Sequence, residues 1–170
     1  ILKSVTCLVM ASGIVIVLIH RFIEQTTIVS MKGIVFKNKR TDVLKLNLEG
    51  KRIVDDEKST ITYEIMAGEN WHNFVEFLVK QNYSGLENLA LIPGNVGTAP
   101  IQNIGAYGVE QEQYFISLKG YNIDTGDFEI YFKDECNFEY RNSIFKQSLK
   151  GKFIITSVTY KLNKFEAPNL

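Results

Sequence analysis

Between Ser84 and Glu110 the chain reads SGLENLALIPGNVGTAPIQNIGAYGVE, a nearly uncharged run of glycine, proline and amide residues that ordinary core building does not require. Gly85, Gly94, Gly97, Gly105 and Gly108 permit positive φ or close backbone approach, and Pro93 and Pro100 stiffen the path between them. Two readings follow from composition, a long loop of several turns and a binding loop. Length favours the second, because connections beyond about 12–15 residues are uncommon in compact domains unless they are functional or disordered. The Leu, Ile and Ala content is too high for disorder, so something should pack against the run. As a binding loop it forms a backbone cradle for a cofactor, in which amide N–H groups point at the ligand and Gln102 and Asn103 add side-chain donors and acceptors.

The rest of the composition is that of one globular domain: 170 residues, 45% hydrophobic and 22% charged. Nineteen basic residues balance nineteen acidic ones, which leaves no electrostatic footprint for a nucleic acid partner. Cys7 and Cys136 lie far apart and outside any CxxC pattern, so neither a disulfide framework nor a zinc site is expected, and a reducing compartment fits best. His20 and His72 are too few and too separated for a metal cluster.

Val5 to Ile19 is almost uninterruptedly apolar. It is shorter than the roughly 18–20 residues of a spanning helix, and Ile14, Val15, Ile16, Val17 and Ile19 suit a buried strand, with a membrane anchor as the lesser reading. Arg21, Phe22 and Ile23 offer no small-residue cleavage site for a signal peptide.

From Phe22 onward the pattern predicts short strands: Thr26–Val29, Val43–Leu48, a turn at Glu49–Lys51, an antiparallel return over Arg52–Val54, and Thr60–Met66. In the last of these Ile61, Tyr63 and Ile65 alternate with Thr62 and Glu64, which predicts a sheet with one wet face. Trp71, Phe74, Val75 and Leu78 then fall at helical spacing behind Asn70, a suitable N-cap, and the helix should end at Asn82–Gly85. That aromatic stripe is read as the core face of the helix rather than a cofactor site. Tyr114–Asn122 and Asp127–Phe132 flank a hairpin turn at Asp124, Thr125 and Gly126, with Phe128, Ile130 and Phe132 expected on the buried side. A last strand covers Phe153–Leu162, with pairing expected to stop at Asn163 and Lys164.

One further segment, NFEYRNSIFK from Asn137 to Lys146, sets Arg141 in a turn-prone stretch. An isolated arginine is ordinarily a solvated one. Here Phe138, Ile144 and Phe145 should draw the segment onto the core and leave Arg141 partly desolvated, where its planar fork can hold a carboxylate bidentately.

AGENWHNFV from Ala67, GLENLALIPGNVGTAPIQNIGAYGVE from Gly85 and FEYRNSIFK from Phe138, in this order and spacing, resemble the UDP-N-acetylenolpyruvoylglucosamine reductases, also called UDP-N-acetylmuramate dehydrogenases. The resemblance is strong from Gly68 to Leu162 and weaker from Phe22 through VSMKGI at Val29–Ile34. It fails before Phe22: where the family carries a GxGSN-like loop around the flavin pyrophosphate, this chain has CLVMASGIVIVLI, with Gly13 its one glycine. The implied fold is α+β, a PCMH-type (vanillyl-alcohol-oxidase-like) FAD-binding fold of mostly short antiparallel strands with a few helices, incomplete here. The implied organisation is an apolar segment over residues 1–21 and an FAD-binding domain over 22–170, with the family's substrate domain, its serine proton donor and its glutamate expected beyond Leu170.

The resemblance also implies an activity, the NADPH-dependent, FAD-mediated reduction of UDP-N-acetylglucosamine enolpyruvate to UDP-N-acetylmuramate in peptidoglycan precursor synthesis, with this piece inactive alone. Ile92, Pro93, Gly94, Val96, Gly97, Thr98, Ala99, Ile101, Gln102 and Gly105 match the positions that border the isoalloxazine and ribityl-phosphate arm, mainly through backbone groups. Arg141 matches the catalytic arginine that meets the substrate carboxylate, Tyr107 matches a tyrosine on the substrate side, and Tyr140 supports Arg141 by packing. The implied cofactors are FAD and NADPH, with no metal, no nucleic acid and no membrane partner, in a cytoplasmic protein that is monomeric when complete. The alternatives are a non-catalytic flavin-binding remnant, an oxidase of the same flavin-fold superfamily and a membrane-tethered binding module.

Overall fold

The computed structural model describes residues 6–9, 15–18 and 46–165. Strand β1 (Thr6–Val9) pairs antiparallel with β2 (Val15–Leu18), Thr6 opposite Leu18 and Val9 opposite Val15. The strand expected over Val5 to Ile19 is therefore, in its described part, two paired strands. The strand expected at Thr26–Val29 lies outside the described residues.

The elements that follow are β3 (Lys51–Asp56), β4 (Thr60–Met66), helix α1 (Trp71–Lys80), β5 (Tyr83–Ser84), β6 (Gly105–Ala106), β7 (Val109–Glu110), β8 (Phe115–Asn122), β9 (Phe128–Phe132) and β10 (Phe153–Lys164). Among the described residues the main sheet has the order β3-β4-β10-β8-β9, with β5 added to the end of β10. Every pairing in it is antiparallel. Helix α1 begins where Asn70 accepts a hydrogen bond from the Asn73 amide at 3.0 Å. Its Trp71, Phe74, Val75 and Leu78 are buried, and Trp71 and Phe74 pack against the ring of Tyr160 on β10, at 6.0 and 6.1 Å between centroids. Sequence spacing and observed core face agree here.

Four expectations are corrected. The strand expected at Val43–Leu48 does not form over residues 46–48, residues 43–45 lying outside the described residues: Leu46 and Leu48 are half-buried and Asn47 and Glu49 exposed, but the segment crosses Gly68 instead of joining the sheet. A Cβ on Gly68 would lie 2.6 Å from the Leu48 carbonyl oxygen, which accepts from the Gly68 amide at 2.8 Å. The return strand β3 consequently pairs with β4, Arg52 opposite Glu64.

Second, β4 has no wet face, since Thr62 and Glu64 are as buried as their neighbours. The strand is internal, and Arg52 from the adjacent β3 and Lys119 from β8, on the far side of β10, both reach Glu64. Third, Phe128, Ile130 and Phe132 are exposed, not buried. Pairing with β8 places Tyr131 opposite the buried Leu118, so Tyr131 takes the core side and meets Phe145 and Phe153 edge-on at 5.5 and 5.2 Å. With a side-chain period of two, that choice turns the three apolar residues outward. Fourth, pairing continues past Leu162, with Asn163 opposite both Thr60 and Ser84.

Candidate functional site

The glycine-rich run is anchored to the start of α1 by its own backbone. The Trp71 amide donates to the Gly94 carbonyl at 3.0 Å, the Val96 amide to Glu69 at 2.8 Å and the Gly97 amide to Ala67 at 3.0 Å. The indole N–H of Trp71 donates to the Leu89 carbonyl at 2.8 Å in the core. Gly97 is required by contact: a Cβ there would lie 2.6 Å from the Cβ of Ala67. Gly94 is required by conformation, at φ 135°. A 3-10 turn at Val96–Thr98 is closed by Thr98, whose hydroxyl donates to the Asn95 carbonyl at 2.6 Å.

These contacts divide the matched residues into two groups. Val96, Gly97, Ala99 and Gly105 are buried, while Ile92, Gly94, Thr98, Ile101 and Gln102 are half-buried and Pro93 is exposed. The amides of Val96, Gly97, Thr98, Ala99, Ile101, Asn103 and Ile104 all donate within the chain. Those of Ile92, Gly94 and Gln102 donate to no acceptor among the described residues. The donors left over in this run are thus those three amides, and most of the run serves the core.

Asn103 departs furthest from the sequence reading. Its side chain is fully buried and takes part in internal bonds rather than facing a ligand. Nδ2 donates to Glu110 Oε2 at 3.0 Å and to the Glu139 carbonyl at 3.2 Å, and Oδ1 accepts from Gln111 Nε2 at 3.2 Å. Gln111, also fully buried, accepts from the Tyr160 hydroxyl at 2.8 Å. Nothing in the sequence marked Gln111, which stands in the polar run EQEQ and reads as solvent-facing. Burial raises the Glu112 carboxyl above its ordinary range; Lys133 opposes the shift and Glu110 adds to it.

The Arg141 segment lies directly against this run. Glu139 and Asn142 exchange backbone hydrogen bonds at 3.2 and 3.1 Å, leaving Tyr140 and Arg141 at the tip of a two-residue turn. Arg141 Nη2 donates to the Gly105 carbonyl at 2.6 Å, and the Ser143 hydroxyl donates to the Ile101 carbonyl at 2.7 Å. The Arg141 guanidinium stands 5.9 Å from the Tyr140 ring centroid. Phe138 and Phe145 do pack inward, Phe138 against Phe115 at 5.0 Å, but Arg141 itself is exposed, contrary to the expected desolvation. The turn projects it beyond the core. Tyr107 is displayed in the same way, 89% exposed, with Tyr107 and Gly108 both at positive φ between β6 and β7.

Among the described residues there is no group of His, Cys, Asp and Glu arranged to hold a metal ion, and no helix is long and apolar enough to cross a membrane. A shallow groove lined by Thr60, Gln113, Tyr114, Ile116, Lys161 and Asn163 contains none of the site residues above.

Residues 20–127 match the family described as FAD binding domain. The chain is 50% identical over 122 residues to the UDP-N-acetylenolpyruvoylglucosamine reductase of Flavobacterium johnsoniae and 48% identical over 122 residues to that of Amoebophilus asiaticus. Each match covers 72% of this chain and 36% of the relative, so the chain spans about a third of the length of these relatives. The crystal structure of the UDP-N-acetylenolpyruvylglucosamine reductase of Thermus caldophilus superposes with a TM-score of 0.54 at 25% identity, over 74% of this chain and 42% of that one.

Proposed function

The chain belongs to the FAD binding domain family, and on that premise we propose that it is the flavin-holding part of a UDP-N-acetylenolpyruvoylglucosamine reductase, with the flavin unit extending over residues 22–170. The observation that carries this reading is the attachment of the Arg141 turn to the glycine-rich run through Gly105 and Ile101. It brings an always-charged carboxylate-binding group onto the run whose Gln102 amide, next to Ile101, has no acceptor among the described residues, the combination of cation and backbone donor that a flavin-dependent reductase of an enolpyruvyl acid needs.

The residues present fit FAD through donor chemistry. The amides of Ile92, Gly94 and Gln102 suit an acceptor-rich ligand, and Ile92 and Ile101 supply half-buried apolar surface beside them. When bound, FAD supplies two-electron hydride chemistry, with NADPH as the source of reducing equivalents. Arg141 holds the carboxylate of the enolpyruvyl group and stabilises the negative charge that grows there during reduction. Tyr107, with Tyr140 next to Arg141, bounds the substrate side. Val96, Gly97, Ala99 and Gly105 act from behind, fixing the run to the core, with Thr98 holding the turn and Pro93 stiffening its exposed corner. The proton donor and the contacts to the nucleotide belong to the remainder of the full-length protein, which acts on a cytoplasmic cell-wall precursor.

The test is to purify the full-length protein carrying these residues, supply FAD, and follow NADPH oxidation with and without UDP-N-acetylglucosamine enolpyruvate. Bound yellow flavin and substrate-dependent oxidation are expected. A colourless protein that leaves NADPH untouched overturns the reading.

A further inference from the structure

We propose that Asn103 is a positioning residue, whose buried carboxamide sets where Arg141 stands relative to the Ile101–Gly105 stretch of the glycine-rich run; this rests on the reductase reading above. Asn103 adopts φ 41°, a left-handed conformation uncommon for residues other than glycine but tolerated by asparagine. Every hydrogen-bonding position of its side chain is taken. The two donors go to Glu110 and Glu139, and the oxygen accepts from Gln111 and, at 3.4 Å, from the Glu112 amide.

Flipping the carboxamide would set its NH2 against two donors and its oxygen against two acceptors, so a single orientation is fixed. The far end is fixed as well, because Gln111 is held by Tyr160 on β10. A buried polar relay therefore runs from the centre of the sheet through Tyr160, Gln111 and Asn103 to the Glu139 carbonyl. That carbonyl is also the acceptor for the Asn142 amide, the bond that closes the Arg141 turn. On the other side, two residues along the chain from Asn103, the Gly105 carbonyl receives the Arg141 guanidinium. Asn103 thus holds both the base of the turn and the strand on which its charged tip rests. It touches neither substrate nor cofactor in this reading and acts only through Arg141.

Two variants of the full-length reductase test this. Asn103→Ser shortens the side chain out of reach of Glu139, and Asn103→Asp keeps the shape while removing both donors. Each is scored for flavin content, for kcat and KM, and for the rate of tryptic cleavage after residue 141. Expected are unchanged flavin content, a fall in kcat of about 10²-fold from misplacement of the arginine, and faster cleavage at the loosened turn. Because the effect passes through Arg141, Asn103→Ser should add little in an Arg141→Lys background. Unchanged kcat, or equal losses in the two backgrounds, overturns the proposal. If the parent protein fails to turn over, the reductase reading falls, and the cleavage rate still decides the positioning role: faster cleavage supports it and an unchanged rate overturns it. Should the aspartate variant not fold, the serine variant gives the answer.

Discussion

Arg141 and Gly105 are 36 positions apart in the chain, yet the guanidinium Nη2 of the first donates to the carbonyl oxygen of the second at 2.6 Å. The bond is one of several between the two motifs. Together they make the run from Ile101 to Gly105 and the turn from Glu139 to Ser143 one unit, so the place of the arginine is set by the same backbone that carries the Gln102 amide.

Arg141→Lys separates charge from geometry. Lysine keeps the positive charge but lacks the planar fork, and it cannot both rest on Gly105 and present two parallel donors to a carboxylate. In the full-length protein the expected outcome is a fall in kcat of about 10²-fold or more with flavin content unchanged, read by steady-state kinetics and flavin absorbance. Unaltered turnover would remove Arg141 from the carboxylate-binding role.

Two glycines of the same run should respond differently to alanine. At Gly97 the new Cβ would stand 2.6 Å from Ala67 Cβ and 3.2 Å from the Ala67 carbonyl, against buried backbone that has little room to yield. At Gly108 nothing lies within 4 Å, and only the positive φ of 79° is penalised. Gly97→Ala should cost about 1–3 kcal/mol or more, and Gly108→Ala about 1 kcal/mol, in urea unfolding of the chain. Equal losses would mean that Ala67 and Gly97 are not in contact.

The legibility of these features from sequence followed the physics of each element. The helix was plain because Asn70 and the Trp71, Phe74, Val75, Leu78 spacing carry both its start and its buried face. The paired runs around Asp124–Gly126 were plain in extent but not in facing. FEIYF offers an apolar set on one face and Tyr131 on the other, and only the register against Leu118 decides between them. Glu64 reads as a wet-face residue because a carboxylate in an alternating strand ordinarily belongs there; its burial depends on Arg52, Lys119 and Ser157, distant in the chain. The site followed the same rule. Motifs marked the glycine-rich run and the Arg141 segment, whereas the relay through Gln111 joins residues that no local pattern connects.

Cys136 should be inert in the folded chain. Its thiol is fully buried and donates to the Phe132 carbonyl at 3.2 Å. Burial, with a smaller contribution from Glu135, pushes the thiol pKa up to about 12, so the reactive thiolate is scarce at neutral pH. Iodoacetamide labelling, followed on the peptide containing Cys136, should occur in denaturant and be negligible in buffer. Rapid labelling of the native chain would show that the segment between β9 and the Arg141 turn opens without global unfolding.

Acid stability should depend on Glu64. Burial disfavours its charge, but hydrogen bonds from Arg52, Ser157 and Lys119 outweigh that and hold the carboxyl down at about 2, against an ordinary 4.5. A folded pKa below the unfolded one stabilises the fold fully above the unfolded value, and the contribution is lost as pH falls from about 4.5 toward 2. The shift corresponds to on the order of 2–3 kcal/mol, the lower figure allowing for solvent screening of Arg52 and Lys119, whose side chains are 67% and 46% exposed. Glu64→Gln removes the titrating group while keeping its shape. Urea unfolding of parent and variant at neutral pH should therefore differ by roughly that amount, and the difference should shrink steadily below pH 4.5. A gap that stayed constant down to pH 2.5 would mean that what Glu64 contributes is packing rather than charge.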